Sequence, residues 1–310
     1  MPLDLHVTRR LLKIKFAVTS IAPVLGQSLF DKFAASISND SFKGRIQPQW
    51  RFHPAPSIVS ANPIVSESLI DNLEKQAIES VQSIERLGPG NTVRLVDGTE
   101  LEIDTIVLCT GYEGNTTIDI PIEYSGDPSL PRIYQNVFHP EFPTSLAFMT
   151  LWETPTGICE VGDLMAMAIA QVFAGNYKLP PRERMEAEID QWHAGLRALA
   201  PLGFNSRHLS SRARAVLVNE AGWRYFLNEA AGTGVNEHMG WGRQGWAFYF
   251  RERKLSNLLM DGVDSPHVYR LFPTRSGGPA RWADAKHSIE VANAEVKELV
   301  SSLKGNTTSS

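Results

Sequence analysis

The 310-residue sequence contains only two cysteines, Cys109 and Cys159, so a disulfide framework is excluded. Lone cysteines are typical of a reducing compartment, where they behave as small core residues, and we therefore predict a cytoplasmic protein. No run of eighteen apolar residues occurs, so no membrane span is predicted. The apolar start RRLLKIKFAVTSIAPVLG is interrupted by Lys13 and Lys15, which is unlike a secretion signal.

The charged residues also exclude several classes of protein. The net charge is −4, and no stripe of Lys and Arg alternates with aromatic residues, so we predict no nucleic-acid partner. His193, His208, His238 and His267 are isolated, and neither HExxH nor CxxC is present, so we predict no metal site. A content of 43% hydrophobic and 21% charged residues is that of a globular protein that buries a sizeable core.

Local patterns predict an α/β organisation. The first fifty residues favour an amphipathic helix followed by a loop, and a proline-rich irregular connection follows. NTVRLVDGTELEID alternates apolar and polar residues around Asp97 and Gly98, which predicts a β-hairpin. The apolar run Ile106 to Leu108 predicts a strand buried on both faces, as in a parallel sheet, and a further strand is predicted over residues 145–152. Helices are predicted for GDLMAMAIAQVFAGN, ending at Gly175, and for several later segments.

One literal G-x-G-x-x-G motif occurs, at Gly240, Gly242 and Gly245. A phosphate-binding version needs a strand before it and a helix that opens at the third glycine. The preceding residues GTGVNEHM do not favour a strand, so we interpret the motif as a chance match.

The segment TPTGICEVGDLMA has two interpretations. Gly162 and Asp163 are predicted to open a helix, whose free N–H groups and dipole could face an electron-rich ligand atom. The other interpretation is a tight turn into a helix capped by Asp163, which the local pattern favours.

Several stretches in order resemble one family, the flavin-containing monooxygenases. DTIVLCTGY resembles the family's Asp-…-ATGY segment, VRLVDGTELEID its late hairpin, and GDLMAMAIAQVFAGNYKLP the helix that follows its return to the flavin domain. WRFHPAPSIVSANPIVSESLI resembles the family's connection before the hairpin, and the closing block GWAFYFRERKLSNLLMDGVDSPHVYRLF is similar to fungal members. The two G-x-G-x-x-G βαβ units of the family have no counterpart in this sequence.

The resemblance implies an incomplete architecture of two dinucleotide-binding domains with a helical C-terminal part. On this basis residues 1–110 correspond to the end of the nicotinamide-binding domain with a linker and the hairpin. Residues 111–310 correspond to the C-terminal part of the FAD domain with a helical extension.

The resemblance also implies the chemistry. NADPH, FAD and O₂ would oxygenate a small organic molecule at a heteroatom or in a Baeyer–Villiger reaction, in a setting such as fungal secondary metabolism. The implied cofactor contacts are Thr110, Gly111 and Tyr112 at the end of the strand and Gly162, Asp163 and Leu164 at the start of the helix. No catalytic residue is assigned. The alternative is a non-catalytic fragment, or a partner of a second polypeptide that supplies the FAD-binding half.

Overall fold

The structure is a computed structural model, and its description covers most of the chain. The described residues are 7–42, 44–52, 55–60, 66, 68–109, 130–149, 157–205, 216, 218–274 and 278–306. Thr110, Gly111 and Tyr112 lie outside these ranges.

The first two helices confirm the predicted helix at the start of the chain, although Lys15 is buried and the apolar Ile14 and Phe16 are exposed. Helix α1 spans Arg9–Ile21, where the Thr8 hydroxyl accepts a hydrogen bond from the Leu11 N–H, and α2 spans Pro23–Ser41. The two helices pack together, and their apolar side chains include the buried Leu12 and Phe30. The predicted helix and loop are therefore two helices, with proline at the first position of the second, where its missing N–H costs nothing.

The predicted hairpin is confirmed and has a third strand. Strands β1 (Ile84–Leu87), β2 (Thr92–Leu95) and β3 (Glu100–Glu102) form one antiparallel sheet in that order. Val93 pairs with Leu101, and Gly98 adopts φ +87°, a left-handed conformation that favours glycine in a turn. The short helix α3 (Leu69–Glu74) precedes this sheet in the chain.

The prediction of a buried parallel strand at Ile106 to Leu108 is wrong. These residues form no strand, and Val107 and Leu108 are 78% and 80% exposed. An apolar run shows only that the segment is hydrophobic. A strand also needs neighbouring strands that pair with its backbone N–H and C=O groups. No strand in the described part of the chain pairs with this run. The strand predicted over 145–152 is likewise only an isolated bridge between Phe138 and Ala147 in its described portion.

The C-terminal half is helical, as predicted. Its helices are α4 (Ile158–Phe173), α5 (Arg182–Arg197), α6 (Glu220–Ala231), α7 (Val235–His238), α8 (Arg243–Arg251), α9 (Arg253–Asp261) and α10 (Ala285–Asn306). Short 3₁₀ segments stand at Pro48–Trp50, Ala200–Leu202 and Pro266–Arg270. The largest core cluster lies between α4, α6 and the segments around them, with Leu164, Met165 and Leu227 fully buried.

Two predicted details of this region need correction. Helix α4 begins at Ile158 after Gly157, one turn earlier than the predicted start at Gly162, because Glu160 and Val161 pack inward as helical residues. Its predicted end is confirmed, since Gly175 adopts φ +75° just after the last turn. Cys109 and Cys159 were expected in the core, but both are exposed.

Helix α1 packs against the C-terminal helices. It contacts α6 and α9, and its Arg9 and Arg10 form ion pairs with Asp264 and Asp261 at 2.7 and 2.6 Å. The predicted domain boundary at residue 110 stays a prediction, and these contacts join residues from both sides of it. Within the described ranges, none of the helices combines the length and the apolar character needed to cross a bilayer.

Candidate functional site

The predicted contacts on α4 lie on its second turn and face three different environments. Leu164 is fully buried and belongs to the main core cluster. Gly162 faces open space, since a Cβ built on it would meet no atom within 4 Å. Asp163 points to a surface cleft. The structure therefore leaves Gly162 and Asp163 accessible to a ligand and places Leu164 in the core.

Asp163 is held by a bidentate ion pair with Arg270. The guanidinium donates to Oδ2 at 2.6 Å and to Oδ1 at 3.0 Å, and each side chain is about one third exposed. A paired guanidinium and carboxylate of this geometry fixes both side chains and makes the pair more specific than a single contact. The bond to Asp163 also raises the pKa of Arg270. Arg270 therefore anchors the 3₁₀ segment Pro266–Arg270 to the second turn of α4.

A cleft of about 480 Å³ opens beside this ion pair. Its volume lies within the usual range for small-molecule sites. Arg281 adds a second guanidinium, while Trp282 and His267 supply rings whose centroids are 4.9 Å apart. The remaining lining residues are Pro266 and Ala280. Such a cleft can stack a planar group on a ring and pair an anionic substituent with a guanidinium.

Two further contacts order the cleft wall. The Ser265 hydroxyl lies 2.5 Å from His267 Nδ1, and the backbone N–H of Trp282 donates to the Arg270 carbonyl at 2.9 Å. Both contacts restrain the segments on either side of the cleft.

A buried network of charges lies directly behind the cleft. Arg224 of α6 donates to the Glu160 carboxylate at 2.9 and 3.0 Å and to Glu220 at 2.9 Å. The Tyr269 hydroxyl also donates to Glu160. Asp264 lies 3.7 Å from the same guanidinium and 2.7 Å from Arg9. We call these six residues the charge network: Arg9, Glu160, Glu220, Arg224, Asp264 and Tyr269.

The ionisation of this network is perturbed by its burial. Burial raises the pKa of Glu160 from its ordinary 4.5 to about 7, even though Arg224 lies against it. Burial opposes ionisation of Asp264 too, but Arg9 and Arg224 hold its pKa below the ordinary value. The three carboxylates raise the pKa of Arg224 against the effect of burial. A buried charge of this kind is stable only while its partners remain in place.

The charge network and the cleft share two elements. Glu160 and Asp163 lie one turn apart on α4, and their partners Tyr269 and Arg270 are consecutive residues of the 3₁₀ segment. The network therefore fixes the second turn of α4 against the wall of the cleft.

These partners were not found from the sequence. Arg270 lies 107 residues from Asp163, and Arg224 lies 64 residues from Glu160. No local period links residues at such separations. The only signal was the C-terminal block similar to fungal members of the family, which includes His267 and Arg270 but assigns them no role.

The glycine motif at residues 240–245 does not form a phosphate cradle. It follows helix α7 instead of a strand, and a Cβ on Gly245 would lie 1.9 Å from the Gly240 carbonyl oxygen. Gly245 therefore allows the close approach of the Gly240 carbonyl within the protein, which supports the interpretation of the motif as a chance match. Among the described residues, no group of three or more His, Cys, Asp or Glu side chains is placed to hold a metal ion.

FAD fits the described residues only in part. The backbone of α4 is open at Gly162, where no atom lies within 4 Å of a Cβ position. Leu164 is enclosed by the core, and Asp163 is neutralised by Arg270. Nothing in the described ranges supplies the glycine-rich pyrophosphate site on which dinucleotide binding depends. These residues by themselves do not fit a whole FAD.

Comparison with known proteins identifies the family. The model of the flavin-binding monooxygenase-like family matches residues 2–221. Because this match covers more than half of the sequence, the chain belongs to the flavin-binding monooxygenase-like family.

Individual relatives agree with this assignment. Monooxygenase aurF of Gibberella zeae is 32% identical over 309 residues, which cover 95% of this chain and 56% of the relative. Flavin-containing monooxygenase 5 of Cavia porcellus is 23% identical over 87% of this chain and 46% of its own length. A 4-hydroxybenzoate brominase (decarboxylating) of Marinomonas mediterranea is 28% identical over 53% of this chain and 30% of its own length. The chain spans about half the length, or less, of these curated relatives.

Proposed function

We propose that this chain forms the C-terminal part of a flavin-dependent monooxygenase. The reaction class is the oxygenation of a small organic molecule by O₂, at a heteroatom or in a Baeyer–Villiger reaction. FAD and NADPH are the proposed cofactors. The match of the family model to residues 2–221 is the observation that carries this proposal.

The proposal extends to organisation and setting. Residues 1–110 would complete a nicotinamide-binding domain, and residues 111–310 would complete the FAD domain. A second polypeptide would supply the FAD-binding half, because the pyrophosphate site is missing from the described residues. The similarity to a relative from Gibberella zeae supports fungal secondary metabolism as the setting, and two lone cysteines support a cytoplasmic location.

At the site itself, Gly162 would admit the flat ring of the flavin against α4. Thr110, Gly111 and Tyr112 are proposed to contact a cofactor, and Asp163 is proposed to orient Arg270 at the edge of the cleft. Leu164 would not contact the cofactor but would fix the second turn of α4 against the core. The flavin supplies the oxygen chemistry when it is bound, and the protein supplies position and exclusion of water.

A second candidate is a non-catalytic fragment that does not bind FAD alone. Two observations favour this candidate: Leu164 is buried in the core, and Asp163 is already paired with Arg270, so neither side chain is free to contact a cofactor. The two candidates make different predictions for a mixture with the missing half.

The test uses residues 1–310 alone and mixed with the segment of monooxygenase aurF that this chain does not cover. Visible absorption reports bound flavin, and NADPH oxidation with a panel of substrates reports activity. The monooxygenase proposal expects the mixture to retain flavin and oxidise NADPH. A mixture that stays colourless and inactive, while both polypeptides are folded by circular dichroism, would contradict it and favour the non-catalytic fragment.

A substitution then tests the site. Gly162→Leu should abolish flavin retention in the active mixture, because the side chain fills the space beside α4. Gly195→Leu is the matched control, since Gly195 is also a helical glycine with no atom within 4 Å of its Cβ position. Equal flavin retention by both variants would contradict a role for Gly162.

A further inference from the structure

Helix α8 exposes two of its four aromatic residues. Gly245 is buried, and the Phe248 ring packs edge-on against Phe272 with centroids 5.0 Å apart. The opposite side of the helix carries Trp246 and Phe250, which are 46% and 77% exposed. A helix on the surface of a globular protein normally turns its polar residues to the solvent, so this arrangement is the reverse of the usual one.

The exposed rings form one continuous surface. Trp241, which precedes the helix, is 84% exposed and lies 5.9 Å from Trp246, between ring centroids. Trp246 is stacked on Phe250 at 5.9 Å. The three rings therefore support one another and leave their outer faces open to the solvent.

Exposed cations also occur on this helix and on the helix that follows it. Arg243 and Arg251 are exposed at the two ends of α8, and Arg253 and Lys254 are exposed at the start of α9. The sequence from residue 243 to residue 254 contains one acidic residue, Glu252, and its carboxylate is paired with Lys286 at 2.9 Å. The face therefore carries a local positive charge, although the whole chain has a net charge of −4.

We infer that this basic aromatic face docks on the surface of an anionic phospholipid bilayer. The face consists of Trp241, Arg243, Trp246, Phe250, Arg251, Arg253 and Lys254. Tryptophan rings favour the level of the lipid headgroups, and arginine and lysine pair with lipid phosphates. The contact is peripheral and requires no spanning helix.

A second copy of this chain is disfavoured as the occupant by the same observations. A second copy of the chain on a two-fold axis would place the four cations of each face opposite one another.

The experiment is sedimentation of the purified 310-residue chain with vesicles of phosphatidylcholine, with and without phosphatidylserine. We expect sedimentation with the anionic vesicles, weakened by salt, and none with phosphatidylcholine alone. Arg243→Gln and Arg251→Gln should each weaken binding by about five-fold, the effect of about 1 kcal/mol per cation. The double variant W246S/F250S should weaken it by at least about ten-fold through loss of buried apolar area.

Controls of the same chemistry lie outside the face. Tyr225→Ser removes a ring that is 60% exposed on α6, and Arg184→Gln removes an exposed guanidinium on α5. Both should sediment like the parent, and circular dichroism should show all variants folded. Absence of binding to anionic vesicles at low salt, or equal binding by face and control variants, would overturn the inference. Binding of poly-glutamate through the same rings without vesicle binding would also overturn it, in favour of an acidic protein partner.

Discussion

Replacement of Glu160 by glutamine tests how the charge network depends on pH. The folded protein holds Glu160 at a pKa of about 7, whereas the ordinary value of 4.5 applies to the unfolded chain. Between these two pH values the folded state retains a proton that the unfolded state has lost. The free energy of unfolding therefore decreases as pH rises through this window.

The size of the effect follows from the difference between the two pKa values. Each unit corresponds to about 1.4 kcal/mol, so ionised Glu160 costs the folded state about 3 kcal/mol above pH 7. Below pH 4.5 the cost is absent, because the carboxyl is protonated in both states. Glutamine keeps a neutral acceptor for the hydroxyl of Tyr269 and carries no charge at any pH. The variant should therefore gain about 3 kcal/mol relative to the parent between pH 4.5 and pH 8.

The assay is urea denaturation of the two proteins at a series of pH values from 4.5 to 8, followed by circular dichroism. The quantity of interest is the difference in unfolding free energy at each pH, so a constant offset from the lost ion pair with Arg224 does not affect it. Glu186→Gln removes a partly exposed carboxylate on α5 that pairs with Arg182, and it should keep the profile of the parent. Parallel curves for the parent and Glu160→Gln across this range would refute the reasoning, as would a gap that narrows with rising pH.

Three further tests by substitution concern the fold and the cleft. Gly175→Ala should destabilise the protein by about 1–2 kcal/mol, because Gly175 has a positive φ. Gly195→Ala lies inside a helix and faces open space, so it should stabilise the protein by up to about 1 kcal/mol. Urea denaturation measures both changes in unfolding free energy, and two changes of the same sign would contradict this prediction. Leu164→Ala should cost about 2–5 kcal/mol in the same assay, and a near-neutral result would contradict its place in the core. Asp163→Asn should lower the unfolding free energy by only about 1 kcal/mol or less, because its ion pair with Arg270 is partly exposed. The matched control is Asp190→Asn, which breaks the ion pair with Arg132. A much larger loss of stability for Asp163→Asn than for the control would contradict this prediction.

The elements with a strong local pattern were predicted correctly. Two examples are the hairpin at Asp97 and Gly98 and the end of α4 at Gly175. Both depend on backbone conformations that glycine adopts easily, so a few adjacent residues are enough to predict them. The start of α4 was misplaced by one turn, because Gly157 and Gly162 offer similar local signals and only the packing of Glu160 and Val161 distinguishes them.

The strand predicted at Ile106 to Leu108, which does not form, shows a different limit of prediction from sequence. Its composition favours a strand, but a strand forms only where a neighbour completes its hydrogen bonds, and composition does not specify that neighbour. The cysteines illustrate the same point, since the residue type favours burial but the packing left both exposed.

Part of the candidate site was also predictable from the sequence, and part was not. The sequence by itself determined the family resemblance, the helices and the hairpin, and it directed attention to Gly162 and Asp163 on α4. Only the tertiary structure brought Arg270 to Asp163 and Arg224 to Glu160, because an ion pair between distant segments depends on how the helices pack. Local periodicity records which face of a helix is buried, whereas the packing of the whole chain decides which charges meet there.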